Sequence, residues 1–157
     1  VEPPGSDPLD VMFAKSTDGG ATFSEPVRVN DDPVDNGASQ WFGTLSVAPN
    51  GRIDVIWNDT RNDPTSNTSQ LFYTYSVDGG ESFAENRAAS PAFNHSLGYP
   101  GTPPQEKLGD YYDMVSDNQG ADIAYAATFN GEQDVYYLRA EPDVEVLFMD
   151  SFEAENR

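Results

Sequence analysis

An isolated arginine stands among acidic residues in the segment N-D-T-R-N-D, where Arg61 lies between Asp59 and Asp63. A guanidinium group binds a carboxylate through two parallel, charge-assisted hydrogen bonds, so Arg61 could hold an acidic ligand. The same residues also fit a structural role, in which the flanking aspartates hold the arginine and stiffen the loop. The sequence leaves both interpretations open.

Aspartates in the neighbouring loops carry the oxygen ligands that Ca²⁺ prefers, because this ion takes about six to eight hard donors. They are Asp31, Asp32 and Asp35, followed by Asp59 and Asp63. None of them shows the regular spacing of an EF-hand, and Asx-turns or solubility explain the same residues. We expect that no cofactor is required, and calcium is the one ion that these residues would suit.

The charge balance narrows the class of partner. The 157 residues include 27 acidic and 8 basic ones, with a formal charge of −19, so nucleic acids and anionic membranes would be repelled. No apolar run approaches the ~20 residues that span a bilayer. The absence of cysteine excludes disulfides and thiolate metal sites. Cations, neutral sugars and basic proteins remain as favoured partners.

The elements that must position these residues are strands. Alternation of apolar and polar residues dominates, with β-branched and aromatic residues between Gly, Pro, Asn and Asp clusters, and no segment has a convincing helical pattern. Nine short antiparallel strands are predicted, at 9–15, 23–29, 40–47, 52–57, 70–76, 83–89, 110–116, 121–127 and 133–139. The sequence therefore predicts an all-β fold.

The order of these strands is periodic. The stretch S-T-D-G-G-A-T-F at 16–23 recurs as S-V-D-G-G-E-S-F at 76–83, and a turn around Gly51 recurs around Gly120. The two spacings are 60 residues, from Asp18 to Asp78, and 69 residues, from Gly51 to Gly120. A repeat of this length that holds four strands is typical of one blade of a β-propeller. We predict a β-propeller of four-stranded antiparallel blades, of which the chain holds about two and a half. A single nine-stranded β-sandwich is the alternative.

This organisation divides the chain into four parts. Residues 1–30 would hold the two outer strands of a partial blade, 31–90 a complete blade, 91–140 three strands of the last blade, and 141–157 a closing strand with an acidic tail. The chain opens on a turn-rich segment without an initiator Met or a signal peptide. We expect a processed or truncated product.

Local turn chemistry explains the recurring motif. Its aspartate can accept hydrogen bonds from backbone N–H groups, its glycines tolerate positive φ, and its hydroxyl residue adds a second local hydrogen bond. Its aromatic residue is expected to bury a ring at the start of the outgoing strand. The residues concerned are Ser16, Asp18, Gly20, Thr22 and Phe23 in the first copy and Ser76, Asp78, Gly80, Ser82 and Phe83 in the second.

Both copies match S-x-D-x-G-x-[ST]-[FW], and this motif resembles the Asp-box, or BNR, repeat of sialidase-like β-propellers. The segments W-N-D-T-R-N-D, L-G-D-Y-Y-D-M-V and Q-D-V-Y-Y-L-R also look like parts of secreted bacterial Asp-box proteins, so the resemblance covers roughly residues 9–139. It implies the C-terminal part of a propeller that usually has six blades. In that family the motif is structural and lies away from the active face.

The resemblance implies that a site lies at the opposite end, with the loops 29–40, 58–69, 90–109 and 128–133. Sialidases clamp a substrate carboxylate with three arginines and use a tyrosine nucleophile activated by a carboxylate. Arg61 and either Tyr111 or Tyr112 would be the catalytic candidates. The further binding candidates are Asp59, Asp63, His95, Tyr99 and Asp110.

Ordinary packing competes with each of these roles. One of two adjacent tyrosines must face the sheet interior, and a lone histidine in a Pro-rich loop is commonly a surface residue. Arg61 is the one of six arginines that maps clearly to the loop-bearing end. The other clamp arginines and the acid of a sialidase would have to lie elsewhere.

We therefore expect a secreted or extracellular scaffold, at the cell surface or in the periplasm as alternatives, that binds a glycan or a protein without complete catalytic machinery. One alternative is the C-terminal part of a retaining exo-glycosidase of sialidase type that cleaves terminal acidic sugars, and another is a structural or adhesion propeller. The open blades predict association with the remaining blades or self-association.

Overall fold

The structure is a computed structural model that describes residues 9–64, 67–99, 107–142 and 148–151. No helix among these residues could cross a membrane. Regular structure in the same ranges consists of eleven strands: β1 (Met12–Phe13), β2 (Val27–Arg28), β3 (Gln40–Val47), β4 (Ile53–Asp59), β5 (Thr68–Ser76), β6 (Arg87–Ala88), β7 (Phe93–Asn94), β8 (Asp113–Ser116), β9 (Ala121–Ala127), β10 (Asp134–Ala140) and β11 (Phe148–Ser151).

The central sheet consists of β3, β4, β5 and β6, paired antiparallel in chain order, with β7 attached to β5. All seven residues of β4 are buried, the polar ones Asp54, Asn58 and Asp59 included, because neighbouring elements cover both faces of this strand. The predicted strands 40–47, 52–57 and 70–76 are confirmed to within a few residues. The predicted strand 83–89 is reduced to the two residues of β6.

The C-terminal sheet has the order β11, β10, β9, β8 and is also antiparallel. Residues of β9 alternate between buried and half-buried, so one face of this sheet packs on the central sheet. Ile123 and Tyr125 meet Ile56, Leu71 and Tyr73 in the main core. In the part 141–157, where a closing strand was predicted, β11 pairs with β10, while residues 143–147 and the acidic tail 152–157 lie outside the described residues.

The first two strands, β1 and β2, form a separate antiparallel pair that is shorter than the predicted runs 9–15 and 23–29. Val11 and Phe13 pack against a second core that includes Val29, Val55 and Trp57. An open cleft of about 500 Å³ lies between this pair and the central sheet, lined mainly by apolar residues of 9–13 and 40–45. The pair therefore covers only part of that face of the central sheet.

A buried ion pair joins the central sheet to the C-terminal sheet. Arg52 donates to Asp54 from Nε (2.8 Å) and from a terminal nitrogen (3.0 Å). The same guanidinium reaches three backbone carbonyls of the turn between β8 and β9, those of Asp117 (2.8 Å), Gly120 (3.1 Å) and Asn118 (3.2 Å). One side chain thus neutralises a buried carboxylate and satisfies acceptors of the neighbouring sheet.

The two repeat turns, residues 16–23 and 76–83, form the same local hydrogen bonds. In the second turn Ser76 Oγ donates to Asp78 Oδ1 (2.7 Å), Gly80 N donates to Ser76 Oγ (2.9 Å) and Ser82 Oγ donates to Asp78 Oδ2 (2.6 Å). The matching distances in the first turn are 2.8, 2.8 and 2.7 Å, between Ser16, Asp18, Gly20 and Thr22. These hydrogen bonds hold the pKa of both aspartates well below its usual range, and the largest effect comes from the hydroxyl of Thr22 in the first turn and of Ser82 in the second.

The aromatic residues of the two turns differ in their surroundings. Phe83 packs edge-on against Phe13, with ring centroids 5.6 Å apart. Phe23, in contrast, is 68% exposed, so the prediction that it buries its ring is wrong. The reason is that β1 covers Phe83, whereas no described strand stands in the corresponding position beside Phe23.

The two repeat turns allow a matched test of how β1 packs on the second turn. Gly20 and Gly80 both have positive φ, but a Cβ on Gly80 would overlap the Phe13 ring, whereas one on Gly20 meets nothing within 4 Å. We expect Gly20→Ala to lower the free energy of unfolding by about 1–2 kcal/mol through backbone strain alone. Gly80→Ala should lower it by roughly 1–3 kcal/mol more, because of overpacking. Equal losses in urea denaturation would contradict this contact.

Candidate functional site

One end of the central sheet carries the candidate residues. The connections that leave β4 and enter β3, β5 and β8 lie at this end, which we call the loop end. The short turns 48–52 and 117–120 and the second repeat turn lie at the opposite end, because the strands are antiparallel. The loop end is thus the part of the molecule where irregular segments meet.

Arg61 is surrounded by acceptors. Its Nε donates to Asp59 (2.9 Å), and its terminal nitrogens reach Asp59 (2.8 Å), Asp31 (2.6 Å), Asp32 (3.4 Å) and Asn86 (3.2 Å). The guanidinium carbon also lies 4.3 Å from the centre of the Phe72 ring. The side chain is only 13% exposed, so its charge is used within the protein.

The surroundings of Arg61 explain why it stays charged. Burial by itself would lower its pKa, but the hydrogen bond and the charge of Asp59 outweigh that effect and raise the pKa above its usual value. The indole N–H of Trp57 donates to the same Asp59 oxygen, Oδ2, at 2.8 Å. The sequence left two roles open for Arg61, binding of an acidic ligand and stiffening of its loop. The geometry favours the second.

The three aspartates proposed for calcium do not gather around an empty space. Asp31 and Asp32 accept hydrogen bonds from Arg61 and from the side-chain or backbone N–H groups of Asn30, Asn36 and Asn86. Asp35 is an exposed turn residue with φ of 63°. In the part of the chain that the structure describes, no group of three or more acidic, His or Cys side chains could hold a metal ion. Calcium binding stays a prediction.

The two adjacent tyrosines precede β8, which begins at Asp113 and not at residue 110 as predicted, and they differ in exposure. Tyr111 is 95% exposed. The hydroxyl of Tyr112 donates to the carbonyl oxygen of Ala126 (3.0 Å) and accepts from Asn58 Nδ2 (2.8 Å). Burial raises the pKa of Tyr112 well above its usual value, and both of these partners are uncharged. Its surroundings therefore fit packing better than nucleophilic chemistry, which needs an activating carboxylate.

The remaining acidic candidates lie in separate places. Asp110 pairs with Lys107 at 2.6 Å, and this hydrogen bond, the largest cause, lowers the pKa of the Asp110 carboxyl. Asp63 lines a small cleft of about 240 Å³ together with Ser69 and with Asp59, the partner of Arg61. Tyr99 is half-buried at the end of the described range 67–99. Asp63 thus lies near the Arg61 group, whereas Asp110 pairs elsewhere.

His95 is held between a hydroxyl and an indole. Its Nδ1 lies 2.8 Å from Ser69 Oγ, and its ring meets Trp41 edge-on with centroids 5.4 Å apart. Burial lowers its pKa and thereby favours the neutral imidazole. The sequence predicted a binding residue in a loop, and the structure places it in an aromatic group.

That group was not predicted. Trp41, Phe42, His95 and Tyr112 form a continuous set of half-exposed rings at the loop end, which we call the aromatic patch. A β-bulge between Trp41 and Thr44 re-aims the strand, and Phe42 there has φ of 58°. The signal in the sequence is W-F-G at the start of a strand, which breaks the expected alternation.

The structure thus brings together two sets of candidates, Arg61 with Asp31, Asp32 and Asp59, and His95 with Tyr112 through the aromatic patch. Comparison with protein-family models, with curated proteins and with solved structures finds no match to this chain.

The role of Arg61 can be tested against a matched arginine. Arg61→Ala would leave the buried carboxylate of Asp59 without its cationic partner, while Asp32 would keep Arg28, and we expect a loss of roughly 3–5 kcal/mol in the free energy of unfolding. Arg139 pairs with Asp117, which is 54% exposed, so Arg139→Ala should cost less than about 1 kcal/mol. Urea denaturation measures both. A small loss for Arg61→Ala would mean that its guanidinium is available to a ligand.

Proposed function

We propose that this chain is part of a secreted, sialidase-like Asp-box β-propeller, and that its loop end binds a glycan or a protein partner without cleaving it. The observation that carries this proposal is the state of Arg61. The guanidinium that would clamp a substrate carboxylate is already engaged by three aspartates and one asparagine.

Two features support the propeller. Strands β3 to β6 of the central sheet and β8 to β11 of the C-terminal sheet are paired antiparallel in chain order, and β7 adds a fifth strand to the central sheet beside β5. The two Asp-box motifs form the same hydrogen bonds, and the second of them connects β5 to β6, the last two strands of the central sheet. A four-stranded meander with a repeated turn at the same place is the design of a propeller blade.

The enzyme alternative is a retaining exo-glycosidase of sialidase type. One observation favours it, since Tyr111 is 95% exposed beside Asp110 and could be reached by a substrate. In this alternative the arginine clamp and the acid would be supplied by other parts of the propeller.

An assay of binding and hydrolysis separates the two. The full chain is tested on an array of neutral and sialylated glycans, and for release of 4-methylumbelliferone from the corresponding sialoside. We expect binding to at least one glycan and no release above the rate without protein, in the wild type and in the Tyr111→Phe and Tyr112→Phe variants alike. Release that either substitution abolishes would establish the enzyme and overturn the binding scaffold.

We further propose that the open face of the central sheet associates with other propeller blades or with a second copy of the chain. Leu45 and Val47 on β3 are 50% and 58% exposed, beside the apolar cleft next to β1. Light scattering after size exclusion should give a mass that rises with concentration, and Leu45→Lys with Val47→Lys should lower it. A monomer at every concentration would contradict this proposal.

A further inference from the structure

We propose that the aromatic patch binds the apolar face of a neutral pyranose sugar, an inference that rests on the proposed glycan-binding function and names its site and ligand class. A pyranose presents a flat array of C–H groups that packs on aromatic rings, while its hydroxyl groups point outward to hydrogen-bond partners. The patch offers both kinds of surface.

The rings of the patch are fixed by one another. Trp41 and Phe42 meet at 4.7 Å between centroids with their planes at 65°, and Phe42 meets Tyr112 at 5.7 Å and 75°. His95 closes the other side against Trp41 at 5.4 Å. Tyr112 continues into the core through Tyr125. Because the four residues are partly exposed and their rings are held by one another, with Tyr112 the most enclosed, they present a preorganised surface.

The backbone at Phe42 is unusual in a way that points to binding. A bulky side chain at φ of 58° is a conformational outlier, and such strain is found mainly at binding and active sites. A glycine would fit this position of the bulge with less strain. The backbone conformation at this position therefore disfavours an aromatic residue, and Phe42 is present in spite of that preference.

A buried amide lies behind the rings. Asn58 lies opposite Trp41 in the register of β3 and β4, and its Nδ2 donates to the hydroxyl of Tyr112. Its Oδ1 is buried and has no hydrogen-bond partner in the described structure. Because Asn58 is fully buried behind Tyr112, it helps to hold that ring in place, and the ring surfaces themselves carry the proposed contact with the sugar.

Charge selects a neutral sugar. The chain has a formal charge of −19, and the arginine at the loop end is occupied by Asp31, Asp32 and Asp59. An anionic sugar would therefore meet repulsion, and Arg61, the described residue that could offset it, is already paired. The carboxylates around Arg61 are themselves paired, so a positively charged sugar gains no free partner there.

The test uses the full chain and a panel of neutral hexasaccharides, namely cellohexaose, xylohexaose and maltohexaose, with sialyllactose as the acidic comparison. Binding is followed by isothermal titration calorimetry. We expect at least one neutral oligosaccharide to bind and sialyllactose not to bind. Phe42→Gly removes the ring while keeping a residue that accepts positive φ, and it should weaken binding by about tenfold or more. Trp41→Ala should do the same.

Phe23→Ala is the matched control, because Phe23 is an exposed aromatic residue at the opposite end, and it should leave the affinity unchanged. Thermal unfolding of each variant verifies that it is folded. Glycan binding that survives both Phe42→Gly and Trp41→Ala would overturn this inference while keeping the proposed function. Binding of sialyllactose alone would overturn the neutral ligand. No glycan binding at all would overturn the inference and leave only a protein partner for the loop end.

Discussion

The buried ion pair between Arg52 and Asp54 is the interaction on which the arrangement of the sheets depends. The guanidinium of Arg52 neutralises the carboxylate of Asp54. It also donates hydrogen bonds to three backbone carbonyl groups in the turn between β8 and β9 of the C-terminal sheet. Arg61 does the corresponding work on the other side of the central sheet, where it reaches Asp31 and Asp32 of the segment that follows β2. One arginine thus fixes the central sheet to each of its neighbours.

These internal ion pairs limit the positive charge that is available to a ligand. The chain has few basic residues, and several of them are committed to internal partners, as Arg28 is to Asp10 and Arg139 is to Asp117 and Asp122. The loop end is consequently poor in available positive charge and relatively rich in aromatic surface. A ligand recognised there would be held by ring contacts and hydrogen bonds rather than by ion pairing.

Local interactions were predictable from the sequence, and distant ones were not. The bonds of the repeat turns join residues two to four positions apart, so motif chemistry was sufficient to predict them. The strands 40–47 and 52–57 followed from alternation and composition. Arg61 has a partner thirty positions earlier in Asp31, and Phe42 depends on a bulge that alternation cannot reveal. The exposure of Phe23 depends on which strand lies beside it, which its own motif does not specify.

The cleft beside β1 has a consequence for how the molecule comes apart. One core cluster joins the central sheet to the C-terminal sheet, and a second one joins it to the β1–β2 pair. Each of these interfaces should therefore contribute its own share to the stability, as interfaces between neighbouring units do in repeat proteins. The pair of β1 and β2 contributes only two residues per strand and covers its neighbour incompletely. Local opening should therefore start at this side and travel toward the C-terminal sheet, so that amide protection against hydrogen exchange rises in the same direction.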